Sequence, residues 1–244
     1  MTNDGRTAIV TGASRGIGKA IAERLAHDGF AVVVNYASQA AEAQQTIESI
    51  KAAGGRAIAM QADVADEAAV AAMFDTATRE FGGIDVVVSC AGIMVLGPVA
   101  EFDLDAFDRM HRINVRGTFI VDQFAARHVR NGGAIINVST SAERQGLPGY
   151  AAYAASKGAV EAIGMILARE LRGRDITVNT VAPGPTATDL FLNGKDEATI
   201  DRLAKLNPLE RLGTPADIAE VVSFLAGRTR WVNGQVIYAN GGMN

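Results

Sequence analysis

The chain is poor in the residues that build disulfides and metal centres. It contains one cysteine, Cys90, and three histidines that are scattered without metal-ligand spacing. A single cysteine excludes an intrachain disulfide, and its commonest role is that of a small buried apolar side chain. We therefore expect neither a disulfide framework nor a metal site.

Charge and hydropathy exclude two further classes of partner. With 23 basic and 27 acidic side chains the net charge is −4, so no basic field favours nucleic acid. The sequence has no apolar run that could span a bilayer, no basic amphipathic segment and no leader-like N-terminus. We expect a cytoplasmic protein that binds a small molecule and neither nucleic acid nor membranes.

What the chain does contain is an alternation of short β-branched runs with longer segments of helical periodicity. The predicted strands are 7–11, 31–36, 57–61, 86–89, 134–139, 177–182 and 235–239. The predicted helices are 16–29, 39–53, 67–81, 104–129, 150–171 and 215–226. Most strands are continuously apolar, which is typical of parallel strands buried on both faces. The pattern predicts one α/β domain over 1–244, with a doubly wound parallel sheet and helices on both faces.

One irregular segment, residues 184–208, interrupts this alternation after the sixth strand. Ligands of doubly wound sheets bind beyond the carboxyl ends of the strands, so this segment is expected beside the ligand. We interpret it as a substrate lid with Gly184 and Gly194 as hinges. The alternative is a long surface loop.

A glycine-rich turn joins the first strand to the first helix and reads Thr11-Gly12-Ala13-Ser14-Arg15-Gly16-Ile17-Gly18. Glycine lets the backbone turn tightly and approach a pyrophosphate, whose charge is met by N–H groups at the helix N-terminus. The alternative is an ordinary tight turn. Its place after the first strand of a βαβ unit favours a dinucleotide site.

The end of the second strand bears on the choice of cofactor and reads Asn35-Tyr36-Ala37-Ser38. A carboxylate here would accept the ribose hydroxyls of NAD, and none is present. Arg15 can offer a planar fork to a 2′-phosphate, with Ser38 and Asn35 as further donors. This favours NADP(H), with NAD(H) as the alternative. Ser38 is also expected to cap the next helix, and Arg15 could instead be a solvated surface cation.

Tyr153 and Lys157 lie four residues apart in a predicted helix, so they share one helix face. A neighbouring cation favours the phenolate and lowers the pKa of a tyrosine. The pair therefore suggests proton-transfer chemistry. The alternative is a packing tyrosine beside a surface lysine.

Seven motifs in this order resemble those of the classical short-chain dehydrogenases/reductases. They are Thr11-Gly12-x-x-x-Gly16-x-Gly18, Asp63-Val64, Ala91-Gly92, Asn114, a serine near 139, Tyr153-x-x-x-Lys157 and Pro183-Gly184. The resemblance covers almost the whole chain. It implies a Rossmann-type sheet of seven strands, NAD(P)-dependent carbonyl or alcohol chemistry, and a homotetramer.

The resemblance also implies roles for individual residues. Tyr153 would be the general acid in carbonyl reduction and the base in the reverse reaction. Lys157 would lower the pKa of Tyr153 and bind the nicotinamide ribose. Asn114 would hold a water that links Lys157 to solvent, or else make a core polar contact. The remaining cofactor-binding residues would be Asp63, Val64, Ser89, Ala91, Gly92, Pro183, Gly184, Thr186 and Thr188. The alternative for Asp63 is a helix cap.

Two departures from the family pattern concern side chains near the reacting atoms. The usual Asn-Asn-Ala-Gly reads Ser89-Cys90-Ala91-Gly92, which leaves Ser89 or water to replace the lost amide hydrogen bonds. The substrate-orienting serine, commonly thirteen residues before the tyrosine, falls on Thr140. A subgroup similar to trihydroxynaphthalene reductase uses a spacing of fourteen, so Ser139 is our choice and Ser141 the second, since alternation places both on one face of the strand.

The substrate is less clearly specified by the sequence. Ser141, Tyr150 and Phe191 are the expected substrate contacts, and the apolar lid favours a small or medium ketone. Lys195, Arg202 and Lys205 could meet a phosphopantetheine, so a 3-oxoacyl-carrier-protein reductase is the runner-up. An NAD-linked alcohol dehydrogenase and a non-catalytic NADP(H)-binding regulator are further alternatives.

Two segments carry more apolar surface than one sheet face can cover. The first, 116–124, contains Phe119, Ile120, Val121 and Phe124, and the second, 160–171, contains Ile163, Ile166 and Leu167. We expect these segments to pack between subunits of the homotetramer.

Overall fold

The computed structural model describes residues 5–228 and 230–244, and these residues form one seven-stranded sheet. All neighbouring strands are parallel, in the spatial order β3-β2-β1-β4-β5-β6-β7. The strands are β1 (Thr7–Val10), β2 (Ala31–Tyr36), β3 (Arg56–Gln61), β4 (Ile84–Ser89), β5 (Val129–Val138), β6 (Thr177–Pro183) and β7 (Val236–Ala239). The predicted fold class is confirmed. Because the strand order reverses between β1 and β4, a ligand crevice opens beyond their carboxyl ends.

Helices cover both faces of the sheet. They are α1 (Gly16–His27), α2 (Ala40–Ala52), α3 (Glu67–Phe81), α4 (Leu104–His111), α5 (Thr118–His128), α6 (Ala142–Gln145), α7 (Ala151–Glu170), α8 (Asp189–Leu192), α9 (Glu197–Ala204) and α10 (Pro215–Ala226). Among the described residues no helix is long and apolar enough to cross a membrane, and no group of side chains suits a metal ion.

The apolar strands separate two cores, one on each face. In β1, Ala8 and Val10 pack into the cluster under α1, α2 and α10, while Ile9 packs into the cluster under α3, α5 and α7. All three side chains are fully buried. Successive side chains of a strand point to opposite faces, so a strand covered on both sides must be apolar throughout. Each large buried side chain contributes roughly 1.5–3 kcal/mol.

The structure divides the predicted helix 104–129 into three parts. The helix α4 is followed by a π-helical segment, Arg112–Gly117, before α5 begins, and the chain enters β5 at Val129. The prediction of one continuous helix is therefore wrong. A π-helical turn contains an extra residue, and it turns Asn114 inward.

A buried carboxylate lies between β4, β5 and α5. Ser89 Oγ donates to one oxygen of Asp122 at 3.2 Å, and Asn137 Nδ2 donates to the other at 2.8 Å. The Ser89 hydroxyl is therefore directed into the core and is occupied there by Asp122, and the cofactor contact of Ser89 stays a prediction. Burial raises the pKa of Asp122 to about 7, and the two hydrogen bonds only partly offset this rise.

We predict that Asp122 makes the protein less stable as the pH rises from about 4 to about 7. In this range the folded state retains a proton that the unfolded state has released, so the free energy of unfolding falls with a limiting slope of about 1.4 kcal/mol per pH unit. Urea unfolding across this range measures the slope. The Asp122→Asn variant should show a shallower dependence, and an identical slope in both proteins would contradict the assignment.

Candidate active site

The predicted motifs meet in a cleft beyond the carboxyl ends of β1, β4, β5 and β6. The glycine-rich turn, the chain after β4, the end of β5, α7 and the lid segment form its walls. Of the predicted cofactor residues, those that line the cleft are Gly12, Arg15, Gly16, Ile17, Gly18, Gly92, Tyr153, Lys157, Pro183, Gly184, Thr186 and Thr188. The predicted substrate residues Ser141, Tyr150 and Phe191 also line it.

The glycine-rich turn has the geometry that a pyrophosphate requires. Gly12 has a φ of +63°, and a Cβ there would lie 2.9 Å from the Cα of Ala91. A Cβ at Gly18 would lie 2.3 Å from the carbonyl oxygen of Gly12. Side chains at these positions would therefore force the turn away from its neighbours. The turn leads directly into α1, whose first N–H groups can receive an anion.

Thr11 is a site residue that the sequence indicated only as part of a motif. Its hydroxyl is buried and accepts hydrogen bonds from the backbone N–H groups of Cys90 at 3.0 Å and Ala91 at 3.1 Å. These bonds join the glycine-rich turn to the chain after β4. The sequence signal for this role was a hydroxyl-bearing residue at the end of a buried strand, because a buried hydroxyl needs a hydrogen-bond partner.

Asn35 supports the turn from below. Its Oδ1 accepts from the N–H of Gly12 at 3.3 Å, while its Nδ2 donates to the carbonyls of Met60 at 3.2 Å and Ala62 at 3.0 Å. The side chain is 1% exposed. The amide is thus occupied by main-chain partners, so the predicted role of Asn35 as a phosphate donor is corrected to one of positioning the turn.

Arg15 and Ser38 lie at the rim where a 2′-phosphate would be read. Arg15 is exposed at the N-cap position of α1, and Ala37 and Ser38 are exposed after β2. Ser38 Oγ lies 2.7 Å from Gln39 Oε1 and donates to it. The N-cap of α2 is Gln39, without a side-chain cap, so the expected capping by Ser38 is wrong.

Asp63 lies after β3 in a fixed orientation. It accepts from the N–H of Ala65 at 2.9 Å and pairs with Arg112 at 2.9 Å. Burial raises the pKa of Asp63, but these two contacts outweigh burial and the net pKa is lowered. The cap of α3 is Asp66, which excludes the alternative reading of Asp63 as that cap.

Tyr153 and Lys157 lie on α7, with side chains 8% and 5% exposed. The Lys157 ammonium donates to the carbonyl of Val138 at 2.8 Å, and burial lowers its pKa to about 8. Burial also raises the pKa of Tyr153 to about 12, against a hydrogen bond with Thr140 that lowers it. The expectation that Lys157 lowers the pKa of Tyr153 is therefore wrong for this state. The pocket keeps the phenol protonated at neutral pH.

Thr140 lines the cleft together with Tyr153, and it is the hydroxyl group that lowers the pKa of the phenol. Ser139 Oγ instead donates to Glu161 at 2.8 Å, on the side of β5 that faces α7. Ser141 is 1% exposed and accepts a hydrogen bond from a neighbouring side chain. Ser139, Thr140 and Ser141 all line the cleft, and the neighbour of the Tyr153 phenol is Thr140, whereas the sequence favoured Ser139 and then Ser141. The N–H groups of Ser139 and Ser141 both donate to β6, so the two serines share one side of the chain and Thr140 takes the other.

Asn114 connects the π-helical segment to the chain after β4. Its amide exchanges two hydrogen bonds with the backbone of Ile93, both 2.9 Å long, and donates to Ser156 Oγ at 3.0 Å. A Cβ at Gly92 would lie 3.1 Å from Asn114 Oδ1 and 3.4 Å from the ammonium of Lys157. The bare glycine thus lets Asn114 and Lys157 approach the same point of the cleft.

The lid segment contains two short helices, α8 and α9. Thr188 caps α8 by accepting from the N–H of Phe191 at 3.3 Å, and Lys195 folds back onto the Phe191 carbonyl and ring. A Cβ at Gly184 would lie 2.8 Å from Asn240, which identifies Gly184 as a point of close packing. Of the two predicted hinge glycines, Gly194 is the one with free space around its Cα and a left-handed backbone, with a φ of +78°.

Comparison with known proteins places the chain in a family. The model of a family described as Enoyl-(Acyl carrier protein) reductase matches residues 12–244. The chain is 45% identical to versicolorin reductase stcU of Emericella nidulans, over 98% of this chain and 96% of that protein. Two solved structures are also similar.

The first is a short chain dehydrogenase from Burkholderia cenocepacia in complex with NADP, with 39% identity and a TM-score of 0.93, covering 99% of this chain and 98% of that one. The second is the angucycline C-6 ketoreductase LanV with bound NADP, with 40% identity and a TM-score of 0.92, covering 98% and 96%. The chain therefore belongs to the classical short-chain dehydrogenase/reductase family and is an NAD(P)-dependent oxidoreductase.

Proposed function

We propose that this protein reduces the ketone of a small or medium apolar substrate to an alcohol with NADPH. The observation that carries the proposal is the buried Tyr153 phenol, which lines one cleft with Thr140, Lys157 and the glycine-rich turn. A developing alkoxide needs such a proton donor and an adjacent hydroxyl for orientation.

The roles follow from the positions of the side chains. NADPH held at the glycine-rich turn would supply the hydride for the carbonyl carbon. Tyr153 gives its proton to the carbonyl oxygen, and Thr140 donates a hydrogen bond to the same oxygen. Lys157 and Asn114 lie close to one another near Gly92, where a proton can be passed toward solvent. Both Tyr153 and Lys157 are retained, which favours an enzyme over a non-catalytic regulator.

The cleft supports a neutral, apolar substrate. The apolar and aromatic side chains that line the cleft together with Tyr153 include Ile93, Met94, Leu147, Tyr150, Leu190 and Phe191. Lys195 is engaged with Phe191, and Lys205 pairs with Asp201 at 2.7 Å. Two of the three cations that could bind a phosphopantetheine thus have partners within the chain. This favours a free ketone over a substrate attached to an acyl carrier.

The cofactor preference rests on the rim beside β2. Arg15 is exposed there and lines the cleft, and the end of β2 carries no carboxylate. The two similar structures were obtained with NADP. These observations support NADPH, which carries the 2′-phosphate, over NADH.

We also propose a homotetramer. Four of the apolar side chains expected at the subunit interface are buried within the chain instead: Ile120, Val121, Phe124 and Leu167. The apolar surface left for a second copy is therefore smaller than the sequence suggested. Phe119 and Ile166 remain 56% and 51% exposed on α5 and α7. Apolar side chains of this size on neighbouring helices favour contacts with a second copy.

Replacing Tyr153 by Phe should lower kcat for ketone reduction by at least about a hundredfold, because the proton donor is lost. The dissociation constant for NADPH should stay unchanged, since the phenol hydroxyl is not needed for the pyrophosphate turn. NADPH oxidation with diketone and quinone substrates, together with a fluorescence titration of NADPH, measures both. A variant as active as the wild type would refute Tyr153 as the acid.

Replacing Arg15 by Ala should weaken NADPH binding about ten- to a hundredfold, because a charge-assisted contact of roughly 1.5–3 kcal/mol is lost. NADH binding should hardly change, and high salt should narrow the difference. The matched control is Lys19→Ala, which removes an exposed cation one turn further along α1. Ala37→Asp should reverse the preference by repelling the phosphate. Equal wild-type affinity for both cofactors would contradict the proposal and favour an NAD-linked enzyme.

Light scattering at micromolar concentration should give the mass of four chains. Phe119→Glu should dissociate the assembly, since a charge would enter an apolar interface. Val99→Glu is the control, because Val99 is 77% exposed and lies outside α5 and α7. A single-chain mass for the wild-type protein would refute the tetramer.

A further inference from the structure

Ser139 and Glu161 make a polar contact that the catalytic roles above do not include. Ser139 is 3% exposed, and its hydroxyl donates to Glu161 Oε1 at 2.8 Å. The same hydroxyl lies 3.3 Å from the carbonyl oxygen of Lys157. An O–H···O⁻ bond to a carboxylate is about twice as strong as a neutral one, so Glu161 is the principal acceptor.

This contact joins the two segments that carry the reacting groups. Ser139 lies between Val138, whose carbonyl accepts from Lys157, and Thr140, whose hydroxyl meets Tyr153. Glu161 lies one helical turn beyond Lys157 and two turns beyond Tyr153, on the same face of α7. Two hydrogen bonds therefore connect the end of β5 to α7. In the first, Lys157 of α7 is the donor, and in the second, Ser139 donates to Glu161 of α7.

The backbone around Thr140 is held on one side by β6. The strand β5 ends at Val138, but the N–H of Ser139 still donates to the Val181 carbonyl and the N–H of Ser141 to the Pro183 carbonyl, both at 2.8 Å. The Thr140 hydroxyl accepts from the N–H of Ala142 at 3.3 Å, a long hydrogen bond within the same turn. The side chain of Ser139 adds the contact that joins this segment to α7.

Glu161 lies in a defined environment. Burial, with a smaller contribution from Glu143, raises the pKa of Glu161, and this outweighs the lowering by the Ser139 hydrogen bond and Arg144, so the net pKa is raised. Arg144 itself lies over the ring of Tyr238, 5.6 Å from its centroid. The side chain is half-buried and has a dedicated partner, unlike a solvated surface glutamate.

We propose that Ser139 and Glu161 are positioning residues, whose hydrogen bond holds the end of β5 against α7 and keeps the Thr140 hydroxyl on the Tyr153 phenol. The inference rests on the proposed carbonyl reduction, since it assigns Thr140 and Tyr153 to the reacting oxygen. It also accounts for the hydroxyl at position 139, which is engaged by Glu161 although Ser139 lines the cleft.

The test compares Glu161→Ala and Glu161→Gln with the wild-type protein in single-turnover ketone reduction. Glu161→Ala should lower the rate at saturating substrate about tenfold, because Thr140 and Tyr153 lose their alignment. KM and the NADPH dissociation constant should stay unchanged. Glu161→Gln retains an oxygen that accepts from Ser139, so it should recover most of the rate. In alcohol oxidation, the acidic limb of the pH profile of Glu161→Ala should move to higher pH, since the Thr140 bond lowers the pKa of Tyr153.

Matched controls separate positioning from general destabilisation. Glu170→Ala removes an exposed carboxylate from the end of the same helix and should behave as the wild type. If Glu161→Ala does not fold, Ser139→Ala removes the same bond with a smaller change and should give the same loss and the same pH shift. A wild-type rate and pH profile in the folded variant, or equal loss in Glu161→Gln and Glu161→Ala, would overturn the inference.

Hydrogen–deuterium exchange distinguishes this inference from the proposed function. Backbone amides of residues 139–142 should exchange faster in Glu161→Ala than in Glu170→Ala, whatever reaction the enzyme performs. If the wild type reduces no ketone, the proposed function fails. The exchange data still show whether the Ser139–Glu161 hydrogen bond holds residues 139–142 in place. Unchanged exchange in Glu161→Ala would overturn the inference even if the wild type is an active reductase.

Discussion

The hydrogen bond from the Lys157 ammonium to the carbonyl of Val138 is the constraint on which the site depends. A buried ammonium is costly unless a polar partner compensates for lost water. The carbonyl of Val138, the last residue of β5, supplies that partner. The bond fixes α7 along the strand end, and Tyr153, one turn earlier, is thereby placed beside Thr140.

Burial shifts the pKa values of Lys157 and Tyr153 in opposite directions. It disfavours the charged form of each, so the pKa of Lys157 falls to about 8 while that of Tyr153 rises to about 12. Burial therefore favours the neutral phenol, which is the form that can donate a proton to a carbonyl oxygen. The reverse reaction needs that proton to be removed toward Lys157 and Asn114.

The departures from the family pattern are compensated within the fold. Where two amides are usual after β4, this chain has Ser89 and Cys90. Ser89 turns into the core and donates to Asp122, which Asn137 holds from β5. The backbone of the following residues is held by Thr11, from the end of β1. Local order after β4 is thus retained through hydroxyl groups on other strands.

The sequence by itself determined the alternation of strands and helices, the glycine turn, and the shared face of Tyr153 and Lys157. These features depend on periodicity and local backbone conformation, which are determined by residues close together in the chain. Tertiary structure decided the rest. Ser139 and Thr140 have different neighbours on α7, Glu161 and Tyr153, while Ser141 bonds to Gln145 of α6. The side chains of Asn35 and Ser89 donate to distant main-chain carbonyls and to Asp122. The pKa values followed burial, and burial depends on packing between segments far apart in the chain.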